Sequence, residues 1–190
     1  MANFEKVPGF SGLCVITPVR HMDARGFFAE TYHAARYAEA GIDVAFVQDN
    51  HSRSEAKGTI RGLHFQKPPH AQDKLVSCVR GRLLDVVVDI RRGSPSFGRS
   101  FSVELSPENG KQLFVPAGFA HGFCALEDGT EISYKVSDFY APESDAGMAF
   151  DDPQVAIEWP VSPAEIILSD KDRQLPVLAE LSETLFQFQN

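Results

Sequence analysis

Short runs rich in Val, Ile, Phe and Thr recur along this chain, and each is closed by a cluster of Gly, Pro, Asn or Asp. Such runs suit a pleated, half-buried surface, and their regular punctuation points to an all-β fold, a sandwich or barrel. Leu75–Val79 and Leu83–Ile90 flank Arg80-Gly81 and are expected to pair as a hairpin. Ser100–Leu105 and Gln112–Val115, on either side of the turn at Pro107–Gly110, are expected to form a second. Glu131–Val136 is a further strand, reached through the loop around Glu127–Gly129. Two short helices are expected, at His33–Ala40, which Gly41 stops, and at Leu178–Phe186. There is no repeat, low-complexity tract or linker, so one β-rich domain spanning residues 1–190 is expected.

Charge and cysteine content narrow the classes of partner. The formal net charge is -8 and the pI about 5.2. A phosphate-tracking surface needs a basic excess, so nucleic acid is not an expected partner. A small phosphorylated ligand needs only a few local Lys or Arg residues. Cys14, Cys78 and Cys124 are widely spaced and form no CxxC pair, which fits buried free thiols in a reducing compartment. No apolar run approaches the roughly 20 residues that span a bilayer, so no membrane partner is expected. The opening segment, MANFEKVPGFSG, lacks the order of a secretory signal, and a cytoplasmic location is expected.

Four segments concentrate the chemistry. In Arg61-Gly62-Leu63-His64-Phe65-Gln66 an extended strand would set Thr59, Arg61, Leu63 and Phe65 against Ile60, Gly62, His64 and Gln66. Gly62 would let a ligand or another backbone approach closely, and the plain alternative for His64 is a hydrogen-bonded sheet residue. Val115–Phe123 holds a Pro-x-Gly-x-x-His turn that can place His121 at the mouth of a small barrel. Metal-binding cupin barrels use such a turn with an HxH pair and a carboxylate. Here Gln66 replaces the second histidine, Lys74 is cationic, and no carboxylate follows at ligand spacing, so no metal is expected. In Leu84–Arg91 the residues Asp85, Val87, Asp89 and Arg91 share a face. Either carboxylate can orient a histidine or pair with an arginine, or the four can form a salt-bridged outer face. Tyr134, in its strand, is a packing residue or a phenol placed to hand a proton to a carbanion.

Taken together and in order, these segments resemble the dTDP-4-dehydrorhamnose 3,5-epimerase family. The likeness runs from Asp23–Glu30 through Phe46–Asn50, Arg61–Gln66, Asp85–Arg91 and Ser94–Gly98. It continues through Gln112–Phe123, Tyr134-Lys135, Asp151–Pro153 and Ile157–Pro160, and closes with Leu168–Asp172. The resemblance implies a cupin-type jelly roll, a homodimer that exchanges N-terminal strands, and no metal or organic cofactor. It implies conversion of dTDP-4-dehydro-6-deoxy-D-glucose to dTDP-4-dehydro-L-rhamnose. On the same basis His64 is the expected base, Asp172 its orienting carboxylate, Tyr134 the acid on the opposite ring face, and Lys74 the cation at the C4 oxygen. Arg25, Glu30, Gln48, Asp49, Asn50, Arg61, His121 and Lys171 are expected to hold nucleotide, diphosphate or sugar.

Three positions depart from the family pattern. Phe139 stands where a tyrosine commonly stacks on thymine, Asp145 where glutamate is usual, and Phe150 where tryptophan is usual. Both Phe139 and Asp145 remain expected substrate contacts. The alternative activity is that of a sibling that inverts only C3 or only C5 of a related dTDP-4-keto-sugar.

Overall fold

The computed structural model describes residues 2–182 and 186–188. The strands, in chain order, are β1 (Asn3–Lys6), β2 (Cys14–Thr17), β3 (Arg20–Asp23), β4 (Gly26–Ala29) and β5 (Gln48–Ser54). They continue with β6 (Ile60–Gln66), β7 (Lys74–Arg80), β8 (Leu83–Asp89) and β9 (Ser100–Leu105). The last are β10 (Gln112–Val115), β11 (Phe119–Ala125), β12 (Thr130–Val136) and β13 (Asp145–Gly147). Among the described residues, helix is confined to α1 (Ala34–Glu39) and three single turns.

Two antiparallel sheets face each other. One runs in the order β1-β2-β10-β7-β12-β5 and the other β13-β6-β11-β8-β9, while β3 and β4 form a separate two-stranded ribbon. Alternation along each strand explains the layers. Val15, Val76, Leu113 and Ile132 from the first sheet meet Val87, Leu105, Phe119 and Phe123 from the second in one apolar cluster. The opposite face of β8 and β6, with Val86, Val88, Leu63 and Phe65, is covered by Leu178 and Phe186. The opposite face of the first sheet, with Ile16, Leu75 and Phe114, is covered by Tyr37 of α1 and by Ile42.

Both expected hairpins are corrected by this topology. Strand β7 lies in the first sheet and β8 in the second, so Gly81 (φ +70°) carries the chain between sheets rather than around a hairpin. The run Leu83–Asp89 is buried on both faces, which suits a central strand between β11 and β9. Strands β9 and β10 likewise belong to different sheets. The Asn109 side chain still shapes the intervening turn, bonding to Ser106, Lys111 and Glu104. The helix at 34–39 stands where it was expected. The second expected helix is absent over Leu178–Glu180, which is a single 3-10 turn followed by an extended Leu181. Residues 183–185 of that span lie outside the described residues. Phe186–Phe188 runs extended beside Arg92, its backbone bonded to that residue on both sides.

Candidate active site

The inner faces of β6, β7, β11 and β12 turn polar around a cavity of about 590 Å³, lined by His64, Lys74, His121 and Tyr134. That volume is in the usual range for a small-ligand site. Strand β6 reaches it through an irregularity. His64 pairs with His121 but Arg61 pairs with Phe123, so three steps on β6 match two on β11. A β-bulge of this kind flips the alternation, and Arg61 and His64 both line the cavity although strict period-two geometry would separate them. Gly62 and Gly122 permit it. A Cβ on Gly62 would sit 2.7 Å from the His121 carbonyl oxygen, and one on Gly122 2.6 Å from that of Arg61. The close approach foreseen at Gly62 is therefore to backbone.

His64 is tied to a carboxylate from the C-terminal segment. Its Nε2 lies 2.7 Å from Asp172 Oδ1, and Asp172 Oδ2 accepts the Gly62 backbone N–H at 3.2 Å. Asp172 is buried, so this pair is held in a low-dielectric setting. The carboxylate fixes the tautomer with hydrogen on Nε2 and leaves the Nδ1 lone pair as the basic site. Burial pulls the His64 pKa below its ordinary value against the opposing pull of Asp172, with Lys74 and Lys171 adding to the decrease.

Lys74 is buried, and its Nζ donates to the His64 carbonyl oxygen at 3.2 Å. Desolvation lowers its pKa to about 8, with Asp85 and Asp145 opposing. Tyr134 is half-buried, and burial raises its phenol pKa while the Arg61 charge opposes that rise. His121 Nε2 lies 2.6 Å from Asp85 Oδ1, a second histidine–carboxylate pair inside the barrel. Asp85 is fully buried, so the outer-face reading of that strand is corrected. Asp89 on the same face binds Arg91, Ser94 and Ser96 instead.

The other expected contacts divide into two groups. Gln48 and Asn50 line the cavity, as do Asp145 and Lys171, which are paired with each other. Asp49 points to the other face of β5 and pairs with Lys135. Arg25, on the ribbon, is 90% exposed and pairs with Asp23, and Glu30 pairs with Arg36. Neither reaches the cavity of its own chain. Phe139 is exposed and outside the lining, whereas its neighbour Tyr140 lines it. Phe150 is also outside the lining, and its carbonyl accepts the Trp159 indole N–H at 2.9 Å. Ser52, Gln72, Tyr140 and Ser169 are lining residues that sequence reasoning missed. Ser52 carried a signal in its even spacing from Gln48 and Asn50, and Ser169 in its place within Leu168–Asp172.

The model for dTDP-4-dehydrorhamnose 3,5-epimerase matches residues 9–180, most of the chain. The chain belongs to the dTDP-4-dehydrorhamnose 3,5-epimerase family. A family enzyme from Sinorhizobium fredii is 51% identical over 167 residues, 88% of this chain and 85% of its own. One from Escherichia coli is 48% identical over 168 residues, 88% of this chain and 90% of its own. Among solved structures, dTDP-6-deoxy-D-glucose-3,5-epimerase from Legionella pneumophila, in complex with dTDP-4-keto-L-rhamnose, has TM-score 0.94 and 44% identity, with both chains covered fully. The paired sheets described above are the cupin-type jelly roll of this epimerase family. No helix among the described residues is long and apolar enough to cross a membrane.

Proposed function

We infer that this epimerase inverts C3 and C5 of dTDP-4-dehydro-6-deoxy-D-glucose, giving dTDP-4-dehydro-L-rhamnose. The observation that carries the reading is the convergence of the His64–Asp172 pair, Lys74 and Tyr134 on one cavity. The C4 ketone acidifies the C–H bonds on both sides of it. His64 Nδ1 takes the proton, the C–H electron pair forms the enolate C=C bond, and charge moves to the C4 oxygen. Lys74 stabilises that oxyanion in a water-poor setting. Tyr134 gives its hydroxyl proton to the carbon from the opposite face as the C4 ketone re-forms, and exchange with solvent restores the phenol and takes the proton from His64 before the second inversion. His64 is neutral near pH 7 because burial lowers its pKa, so it is ready as a base.

We read the reaction as needing no metal. His64 and His121 each already hold a carboxylate, and the Gln66 carboxamide is taken up by backbone groups of His70, Phe139 and Ala141. The active assembly is an isologous dimer in which the β3–β4 ribbon brings Arg25 and Glu30 to the other chain's site. Met22, Phe27 and Phe28 on that ribbon are 71%, 57% and 70% exposed in one chain, which suits a ribbon that packs on a second copy. The three buried free cysteines suit the cytoplasm. The test is incubation with dTDP-4-dehydro-6-deoxy-D-glucose in heavy water after exhaustive chelation, followed by NMR. Inversion with deuterium at both C3 and C5 is expected. Inversion at one centre only would make this a monoepimerase, and rescue by added metal would overturn the metal-free reading.

A further inference from the structure

We propose that Gln66 is a positioning residue that sets the cavity rim and thereby the affinity for the nucleotide portion of the substrate. The side chain is buried at 4% exposure inside the barrel, yet all its hydrogen bonds reach out to two rim loops. Its Nε2 donates to the carbonyl oxygens of His70 at 2.7 Å and Phe139 at 3.1 Å, and its Oε1 accepts the Ala141 N–H at 2.7 Å. Gln48 Oε1 accepts the N–H between them, that of Tyr140, at 3.1 Å. Two carboxamides thus hold three consecutive backbone positions of one loop.

That grip leaves Phe139 and Tyr140 63% and 57% exposed while their backbone is held. The same loop leads to Asp145, which pairs with Gln66 in the β13–β6 register and holds Lys171. An aromatic and charged edge held in this way is pre-organised, so binding does not have to order it. A carboxamide is the side chain that fits. It supplies two donors for two carbonyls and one acceptor for one N–H, which neither Glu nor Leu can do.

The inference rests on the nucleotide-sugar reading above, and dTDP itself serves as the probe. Calorimetric titration of wild-type protein, Gln66→Leu and Gln66→Glu separates the two. Gln66→Leu removes all three bonds and is expected to weaken dTDP binding roughly tenfold or more, with the kinetic loss falling on KM more than on kcat. Gln66→Glu keeps the volume but sets a carboxylate against two carbonyl oxygens. It is expected to bind weakly near pH 8 and to recover toward wild type as pH falls, because burial against two carbonyl oxygens raises the acid's pKa and its protonated form can donate again. Wild-type affinity in folded Gln66→Leu, or a Gln66→Glu affinity whose ratio to wild type is the same at every pH, would overturn the role of Gln66. If Gln66→Leu does not fold, the Gln66→Glu pH dependence decides alone. Failure of the wild-type protein to bind dTDP would instead remove the nucleotide reading and this inference with it.

Discussion

Burial lowers the pKa of His64 below its ordinary value and that of Lys74 to about 8, and the mechanism proposed above needs the first neutral and the second charged. Activity is therefore lost as pH falls through the His64 pKa and lost again as pH rises through that of Lys74. A bell-shaped kcat/KM profile is expected, with its acid limb below the usual imidazole value of about 6.5 and its alkaline limb near that of Lys74. Lys74→Arg should lower the rate but move the alkaline limb out of range, because a guanidinium stays charged. An unchanged alkaline limb in that variant would assign it to another group. Asp172→Asn tests the carboxylate in the same way. The amide can present its N–H to Nε2 and favour the wrong tautomer, so kcat should fall by about 10²–10⁴ while dTDP affinity holds.

Elements decide which side chains meet. The bulge on β6 brings Arg61 to the His64 face, and no periodicity in the sequence announces it, because it arises from the approach of β11 at Gly62 and Gly122. Strand-rich runs between turn residues did reveal β7, β8, β9, β10 and β12, and period-two spacing revealed the shared face of Asp85 and Asp89. It did not reveal that β7 and β8 part at Gly81, because a turn residue reads the same whether the strands pair or diverge into two sheets. Asp172 was legible only through the family resemblance, since it reaches His64 from 108 residues away on a segment without regular strand. That segment is anchored downstream, where Leu178 fills the outer apolar layer and its N–H donates to buried Asp152 at 2.6 Å. Leu178→Ala is expected to cost about 2–5 kcal/mol of stability, read from urea midpoints. A loss well under 1 kcal/mol would mean that the layer repacks and holds Asp172 by other contacts.

The molecule as a whole gathers some of the expected contacts around its cavity and leaves others, Arg25 and Glu30 among them, away from it. The apolar barrel interior, the cavity and its His, Lys and Tyr residues are all built by a single chain. Arg25 and the exposed ribbon are not part of that cavity, which no sequence pattern announced, whereas Asp49 faces away from it as its odd spacing from Gln48 and Asn50 along β5 allows. If each site borrows Arg25 from its partner, mixing impaired His64→Ala and Arg25→Ala chains should create heterodimers with one intact site. Random exchange would restore about a quarter of wild-type activity. No restoration, despite verified exchange of subunits, would return Arg25 to its own chain. The central claim, that base and acid are separate side chains on opposite faces of the sugar, is tested most directly by deuterium incorporation in two variants. Tyr134→Phe is expected to keep exchanging deuterium at C3 and C5, since His64 can return solvent hydrogen to the same face, while inversion falls by about 10²–10⁴. His64→Ala is expected to lose exchange and inversion together, and normal exchange in that variant would contradict the account.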